Sequence, residues 1–331
     1  DLLYLANLCF DCRDCYYACQ FAPPHEFAVN VPQIFAEIRA DSYRAYSWPA
    51  AARGLFRENA RAVAWITAVS AFLILALVLL FRGPATLFGV HVGPNAFYRV
   101  IPYAALVIVP SVIALSALGV FCRGARRFWR DTQSVPAGAL ALGALAQTAG
   151  DIVRLRYLNG GEAGGCNYPD AAFSQSRRWF HHLTFYGFLL DFASTTTAAF
   201  YSHFLDWPAP YPLLSWPVVL GTVGGVLLVI GTGGLLYLKW RSDPDPAALR
   251  THGMDVAFLA LLFLASLTGL ALLAWRETPA MGTLLVVHLG FVAGIFITAP
   301  YGKFAHALYR SLAVARNALE QAHAARAARP R

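Results

Sequence analysis

Ala62–Phe81 is a run of twenty residues without a charge, and five further apolar runs follow it. They are Val100–Cys122, Trp179–Phe204, Leu213–Leu238, Met254–Trp275 and Met281–Pro300. A helix needs about 20 apolar residues to cross the hydrocarbon of a bilayer, so each run is long enough. The third is the weakest, because His181, His182, Asp191 and His203 lie within it or at its end. The expected fold class is an all-α membrane protein with about six transmembrane helices. Hydrophobic residues make up 58% of the chain and charged residues 13%. That balance excludes a wholly water-soluble chain and a disordered one. Pro136–Leu158 has a shorter apolar part and closes on Asp151, Arg154 and Arg156. It reads as an interfacial or cytoplasmic helix.

The net charge is +8, and of 26 basic residues only Lys239 and Lys303 are lysine. In a membrane chain, basic loops are first an orientation signal, so no nucleic-acid partner is expected. With six spans and the N-terminus inside, the internal loops carry Arg123, Arg126, Arg127, Arg130, Arg177, Arg178, Lys239, Arg241 and Arg250. The tail adds Lys303, Arg310, Arg316, Arg326, Arg329 and Arg331, against Arg82, Arg99 and Arg276 outside. A seventh span would spoil that asymmetry. The expected organisation is a cytoplasmic segment 1–45, an amphipathic linker 46–61, a transmembrane domain 62–306 and a basic cytoplasmic tail 307–331. The first residue is Asp1 and no basic leader precedes it, so the chain is expected to start inside a longer protein.

Four of the six cysteines, Cys9, Cys12, Cys15 and Cys19, fall within eleven residues. Such crowding reads as thiolate ligation in a reducing compartment rather than as disulfides. The spacing C-x2-C-x2-C-x3-C is the bacterial ferredoxin run for a [4Fe–4S] cluster. Its usual following proline is replaced by Gln20. Zinc sites prefer separated cysteine pairs. Cys122 and Cys166 read as packed free thiols.

Ionisable groups inside spans are costly and are functional candidates by default. His288 and His306 are 18 residues apart, about five turns of one helix face if the helix passes Pro300. His203 lies 21 residues after His182 and 22 after His181. Both spacings come close to one face, so the choice between His181 and His182 stays open. The third and sixth spans run antiparallel. His181 or His182 then shares a level with His306 near the inner edge, and His203 shares one with His288 toward the outer side. The two levels are separated by roughly 27–31 Å at 1.5 Å per residue. That pattern suits one or two b haems held by imidazoles from facing helices. Asp191 reads as a polar helix contact or a proton relay at a quinone site, and His252 as a solvated residue beside Asp255. The glycines from Gly221 to Gly234 have the spacing of a close helix crossing.

Several segments resemble the tricarballylate/citrate utilisation protein B family. They are Leu5–Cys9 with its cysteine run, Cys19–Asn30, Leu155–Leu158, Gly164–Pro169, Arg177–His182 and Pro300–His306. The resemblance covers almost the whole chain. It implies a membrane electron-transfer protein of the bacterial inner membrane carrying one or two [4Fe–4S] clusters and b haem. Such a protein takes electrons from the reduced flavin of an FAD-dependent tricarballylate dehydrogenase and passes them to the membrane quinone. An earlier cysteine run found in the family is absent here. The His288/His306 spacing also looks like that of the cytochrome b subunit of respiratory nitrate reductase. The alternatives are a quinone-linked subunit of another dehydrogenase or of a heterodisulfide-reductase-like complex, and a transporter or membrane anchor with a structural cluster. None of these readings gives the chain an organic substrate site of its own.

Overall fold

A computed structural model describes residues 2–132, 142–160 and 164–328. Helix α1 (Leu2–Leu8) leads into the cysteine loop, α2 (Asp14–Tyr17) lies within it, and α3 (Val31–Tyr46) follows. The start of α3 is set by Asn30, whose side chain accepts from the Gln33 N–H at 3.1 Å, and by Pro32 in the first turn. Such caps satisfy donors that the helix itself leaves orphaned.

Helix α4 (Asn59–Arg82) ends at Gly83, whose φ of 81° is the left-handed conformation glycine adopts without strain. Short helices α5 (Pro84–Leu87) and α6 (Ala96–Val100) turn the chain into α7 (Tyr103–Asp131). Next come α8 (Leu142–Val153), the strand pair β1 (Cys166–Asn167) and β2 (Phe173–Ser174), and α9 (Ser176–Phe204). Helices α10 (Trp216–Arg241), α11 (Leu249–Ala274), α12 (Met281–Thr298) and α13 (Ala305–Ala327) complete the chain.

Among the described residues, five helices are long and apolar enough to cross a membrane: α4, α7, α10, α11, and α12 with its short continuation to Tyr301. The chain is a multi-pass membrane protein. The third expected span, α9, is long enough at 29 residues but falls outside that set. Its two adjacent histidines, Asp191 and the run Thr195–Thr197 dilute its apolar character. It still runs the length of the bundle, antiparallel to α10. Near the cysteine loop Arg177 of α9 reaches the Asp11 carbonyl and Arg13 reaches that of Asp243, just past α10. At the far end Ser194 donates to the Pro217 carbonyl at 2.6 Å.

In lipid there is no hydrophobic gain from pressing two apolar helices together, so close packing through small residues must hold them. The α9–α10 pair does this with glycine. A Cβ on Gly231 would stand 2.6 Å from the Thr184 backbone nitrogen, and one on Gly224 would collide with the Asp191 carboxylate. Gly231→Val is therefore expected to cost about 1–3 kcal/mol through overpacking. Thermal unfolding in detergent checks this, and a melting temperature equal to wild type would refute the close crossing.

Segment 136–158 is resolved in its second part as the twelve-residue helix α8, and residues 136–141 lie outside the described residues. Helix α8 packs against α13. The tail 307–328 is the greater part of α13, and part of it is packed into the protein. Its Tyr309 and Ala313 join Tyr4, Tyr43, Tyr46, Phe128 and Met254 in one core. Arg316 is only 4% exposed. Arg329 and Arg331 lie outside the described residues. Cys166 is buried, as expected of a packed thiol, but Cys122 is exposed on α7, because that helix presents much of its surface outward.

Candidate functional site

Cys9 sits one residue past α1, its N–H on the Leu5 carbonyl at 2.9 Å. Asp11 (φ 59°) and Arg13 (φ 69°) adopt left-handed backbone on either side of Cys12. These two reversals wind the loop tightly before α2 presents Cys15, with Cys19 just beyond it. The loop is fastened from several elements. Arg39 of α3 and Arg310 of α13 both donate to the Cys9 carbonyl, Arg310 at 2.8 Å. Arg177 donates to the Asp11 carbonyl at 2.6 Å, and the Asn167 N–H to the Cys12 carbonyl at 3.0 Å. The Arg310 guanidinium also lies over the Phe10 ring, 4.1 Å from its centroid.

Among the described residues, no three His, Cys, Asp or Glu side chains stand close enough to share a metal ion. The four thiols lie along one loop without converging. The donor set nevertheless fits an iron–sulfur cluster in kind: four soft sulfur ligands, tight reversals between them, and guanidinium groups on the loop to offset an anionic centre. Burial pushes the Cys12 thiol up to about 11, so a bare thiolate there is costly and a bound cation offsets that cost.

Of the five sequence-selected histidines, two meet. The rings of His181 and His306 face each other with centroids 6.3 Å apart and planes at 82°. His306 uses Nδ1 on the Lys303 carbonyl at 2.6 Å. With its proton on Nδ1, Nε2 is left with a lone pair, the arrangement found in metal-ligating histidines. Burial, then the nearby Lys303 and Arg310 charges, hold the His306 imidazole well below its usual range, hence neutral. His181 Nδ1 is buried with no hydrogen-bond partner. His182 stacks on Tyr186 at 5.9 Å, so His181 rather than His182 is the ring beside His306. The outer pair is not brought together. His203 contacts the Tyr103 hydroxyl at 3.0 Å, and His288 lies on the Ala265 carbonyl at 3.0 Å.

His181 and His306 line a cavity of about 360 Å³. Its lining combines the apolar rings of Phe185, Phe188, Phe258 and Phe304 with the charged groups of Arg39, Arg177, Asp255, Lys303 and Arg310. Asp255 stands between the chain's two lysines, 2.8 Å from Lys239 Nζ and 2.6 Å from Lys303 Nζ. Burial lowers Lys303 to about 8 despite Asp255, and lowers Arg310 to about 10. Aromatic rings, cationic groups in excess of acidic ones and two adjacent imidazoles fit an amphiphilic, anionic, metal-centred ring in kind. Sequence reasoning missed the arginines and the lysine–aspartate triad. Their one signal was the rarity of lysine, with both copies at the ends of apolar runs. His252, read as solvated, also lines this cavity. Asp191 packs against Gly224 with one carboxylate oxygen unpartnered, which is the helix-contact placement.

Two family models match the chain: the citrate utilization protein B Fer4-like domain over residues 1–45, and citrate utilization protein B over 55–328. The chain belongs to the citrate utilization protein B family. A relative from Escherichia coli, citrate utilization protein B, is 43% identical over 324 residues, covering 97% of this chain and 83% of the relative. No solved structure matches. For this member of the family, the Fer4-like match holds the cysteine loop, its fastened carbonyls at Cys9 and Asp11, and Arg39, while Arg177 and Arg310 fall in the larger match. The larger match holds His181, His306 and most of the cavity lining, and the Fer4-like match supplies the rest of it, from Asp11 to Tyr43.

Proposed function

We propose that this protein is an electron-transfer subunit in citrate or tricarballylate utilisation. It takes electrons from the reduced flavin of a partner dehydrogenase and delivers them to the membrane quinone. A [4Fe–4S] cluster and a b haem, when bound, supply single-electron redox steps that no side chain here can perform. Cys9, Cys12, Cys15 and Cys19 hold the first group. His181 and His306 hold the second through neutral imidazole nitrogens. Lys303, Arg177 and Arg310 offset the negative charge that reduction and carboxylate substituents bring to a poorly solvated site.

The observation that carries the reading is the continuity of the two sites. Arg310 touches the Cys9 carbonyl, and His306 lies one turn before it on α13. The cysteine loop and the histidine cavity therefore share a wall. The citrate part of the reading rests on the family name, and the inner-membrane orientation rests on the arginine asymmetry of the loops.

Sealed vesicles test it. Inside-out vesicles are expected to reduce quinone when given the reduced flavoprotein, and right-side-out vesicles are not. Equal rates from both faces would contradict the orientation, and no rate from either would end the reading.

A further inference from the structure

At the end of the bundle where α4 and α11 begin, a pocket of about 390 Å³ opens between their first turns and α3. It is lined by Arg44 of α3, Arg57 just before α4, Arg61 of α4 and Arg250 of α11, with Asp41 and Glu58 among them. Both carboxylates are already engaged, Asp41 with Arg250 at 2.8 Å and Glu58 with Arg61 at 2.8 Å. Among the described residues, the guanidinium groups of Arg44 and Arg57 make no ion pair and no hydrogen bond. Four arginines against two carboxylates leave two positive charges without a counter-charge in one concave site.

The pocket continues into a groove of about 620 Å³ between the same two helices, and Ala60 and Gly253 line both. A Cβ on Gly253 would stand 3.4 Å from that of Ala60, so the missing side chain keeps the neck between pocket and groove open. Beyond the neck Ala64, Ala68 and Ala71 of α4 line the groove with Ala257 and Ala260 of α11. Both helices are long and apolar enough to cross a membrane, and the charge-free run of α4 begins at Ala62, directly after Arg61. The pocket therefore lies where bilayer hydrocarbon gives way to headgroups, and the groove lies within the hydrocarbon.

We propose that pocket and groove together bind one anionic phospholipid, its phosphodiester between Arg44 and Arg57 and an acyl chain along the alanines. The uncompensated charge chooses the occupant. A guanidinium presents paired donors that match phosphate oxygens, and an anionic lipid brings the counter-charge the pocket lacks. A zwitterionic lipid would also bring an ammonium group among four arginines, where like charges repel. A neutral quinone would fill the groove and leave Arg44 and Arg57 uncompensated. Free phosphate would satisfy the arginines and leave the groove empty. The orientation signal of basic loops accounts for arginines at this end of the bundle, but not for a concave site that runs into an apolar groove. The lipid would join α3, whose Arg39 fastens the cysteine loop, to the first turns of two spans. The site does not depend on the redox function proposed above.

The test uses the purified full chain in detergent, titrated with phosphatidylglycerol or phosphatidylcholine of the same acyl chains, with bound lipid counted by native mass spectrometry. Wild type is expected to retain one phosphatidylglycerol and to prefer it over phosphatidylcholine. The double variant Arg44→Gln, Arg57→Gln is expected to bind phosphatidylglycerol more weakly by about tenfold or more, the order expected when two arginines are lost from an anionic lipid contact. Ala64→Trp, which fills the groove, is expected to weaken binding as well. Arg126→Gln, the same charge change on the exposed face of α7, should behave as wild type. Melting temperatures in lipid-free detergent that match wild type separate lost binding from lost folding, and the arginine variant decides the matter if Ala64→Trp does not fold. Equal retention of the two lipids by wild type, or unchanged binding in the arginine variant, would overturn the site. Displacement of the lipid by inorganic phosphate would reduce it to an anion pocket, and displacement by a decyl-substituted benzoquinone would give the groove to a neutral occupant; either result also overturns the proposal.

Discussion

Cys12→Ser is expected to abolish the low-temperature EPR signal of the reduced protein and to strip its iron, while Cys122→Ser leaves both at wild-type levels. Cys12 lies between two left-handed residues, and its carbonyl is held by Asn167. The loop around it is therefore fixed in place, and a serine hydroxyl there is a poor, hard donor for a soft iron–sulfur centre. Cys122 is exposed on α7, far along the chain from the loop and its arginines. The pair of variants separates ligation from general thiol chemistry. Full iron and an unchanged signal in Cys12→Ser would remove the cluster from this loop.

The second large effect concerns the facing imidazoles. His306→Ala and His181→Ala are each expected to eliminate the haem absorbance of purified, dithionite-reduced protein. His182→Ala is expected to retain it, because that ring stacks on Tyr186 outside the cavity contact. Alanine supplies no ring nitrogen, and a haem would then be held by one imidazole in place of two. His203→Ala and His288→Ala are expected to leave the band intact, since those rings lie on Tyr103 and on the Ala265 carbonyl rather than on each other. Haem-to-protein stoichiometry decides the matter. A second component in wild type that vanishes only in His288→Ala would restore a pair of stacked haems. Loss of the band in His182→Ala but not in His181→Ala would overturn the choice of residue.

Much of the architecture is written in hydropathy, because a span needs length and apolarity and both are countable. The one departure, α9, is instructive. Its polar residues place it outside the apolar set, yet it traverses the bundle. The glycines of α10 seat it closely, and the Asp11 carbonyl of the cysteine loop holds its first turn through Arg177. The cysteine run was readable because four ligands of one kind lie within a few residues. The histidines were harder. Helical spacing put His181 and His182 on nearly the same face, and only the packing of neighbouring rings separated them. Asp255 with Lys239 and Lys303 was legible only through the rarity of lysine, which does not name a partner. Its three members come from three elements, and nothing in their sequence spacing foretells that they meet.

Helix α13 reaches back to the beginning of the chain. Tyr4 donates to Glu320 at 3.1 Å, and Arg310 clasps the Cys9 carbonyl. Translation runs the other way, so the cysteine loop emerges from the ribosome long before the helix that completes its fastening. Until α13 is made and docked, the loop lacks Arg310 and is held by Arg39, Asn167, Arg177 and the Asp243 carbonyl. The fastening of the loop is thus completed by α13, some three hundred residues away in sequence from the cysteines it secures.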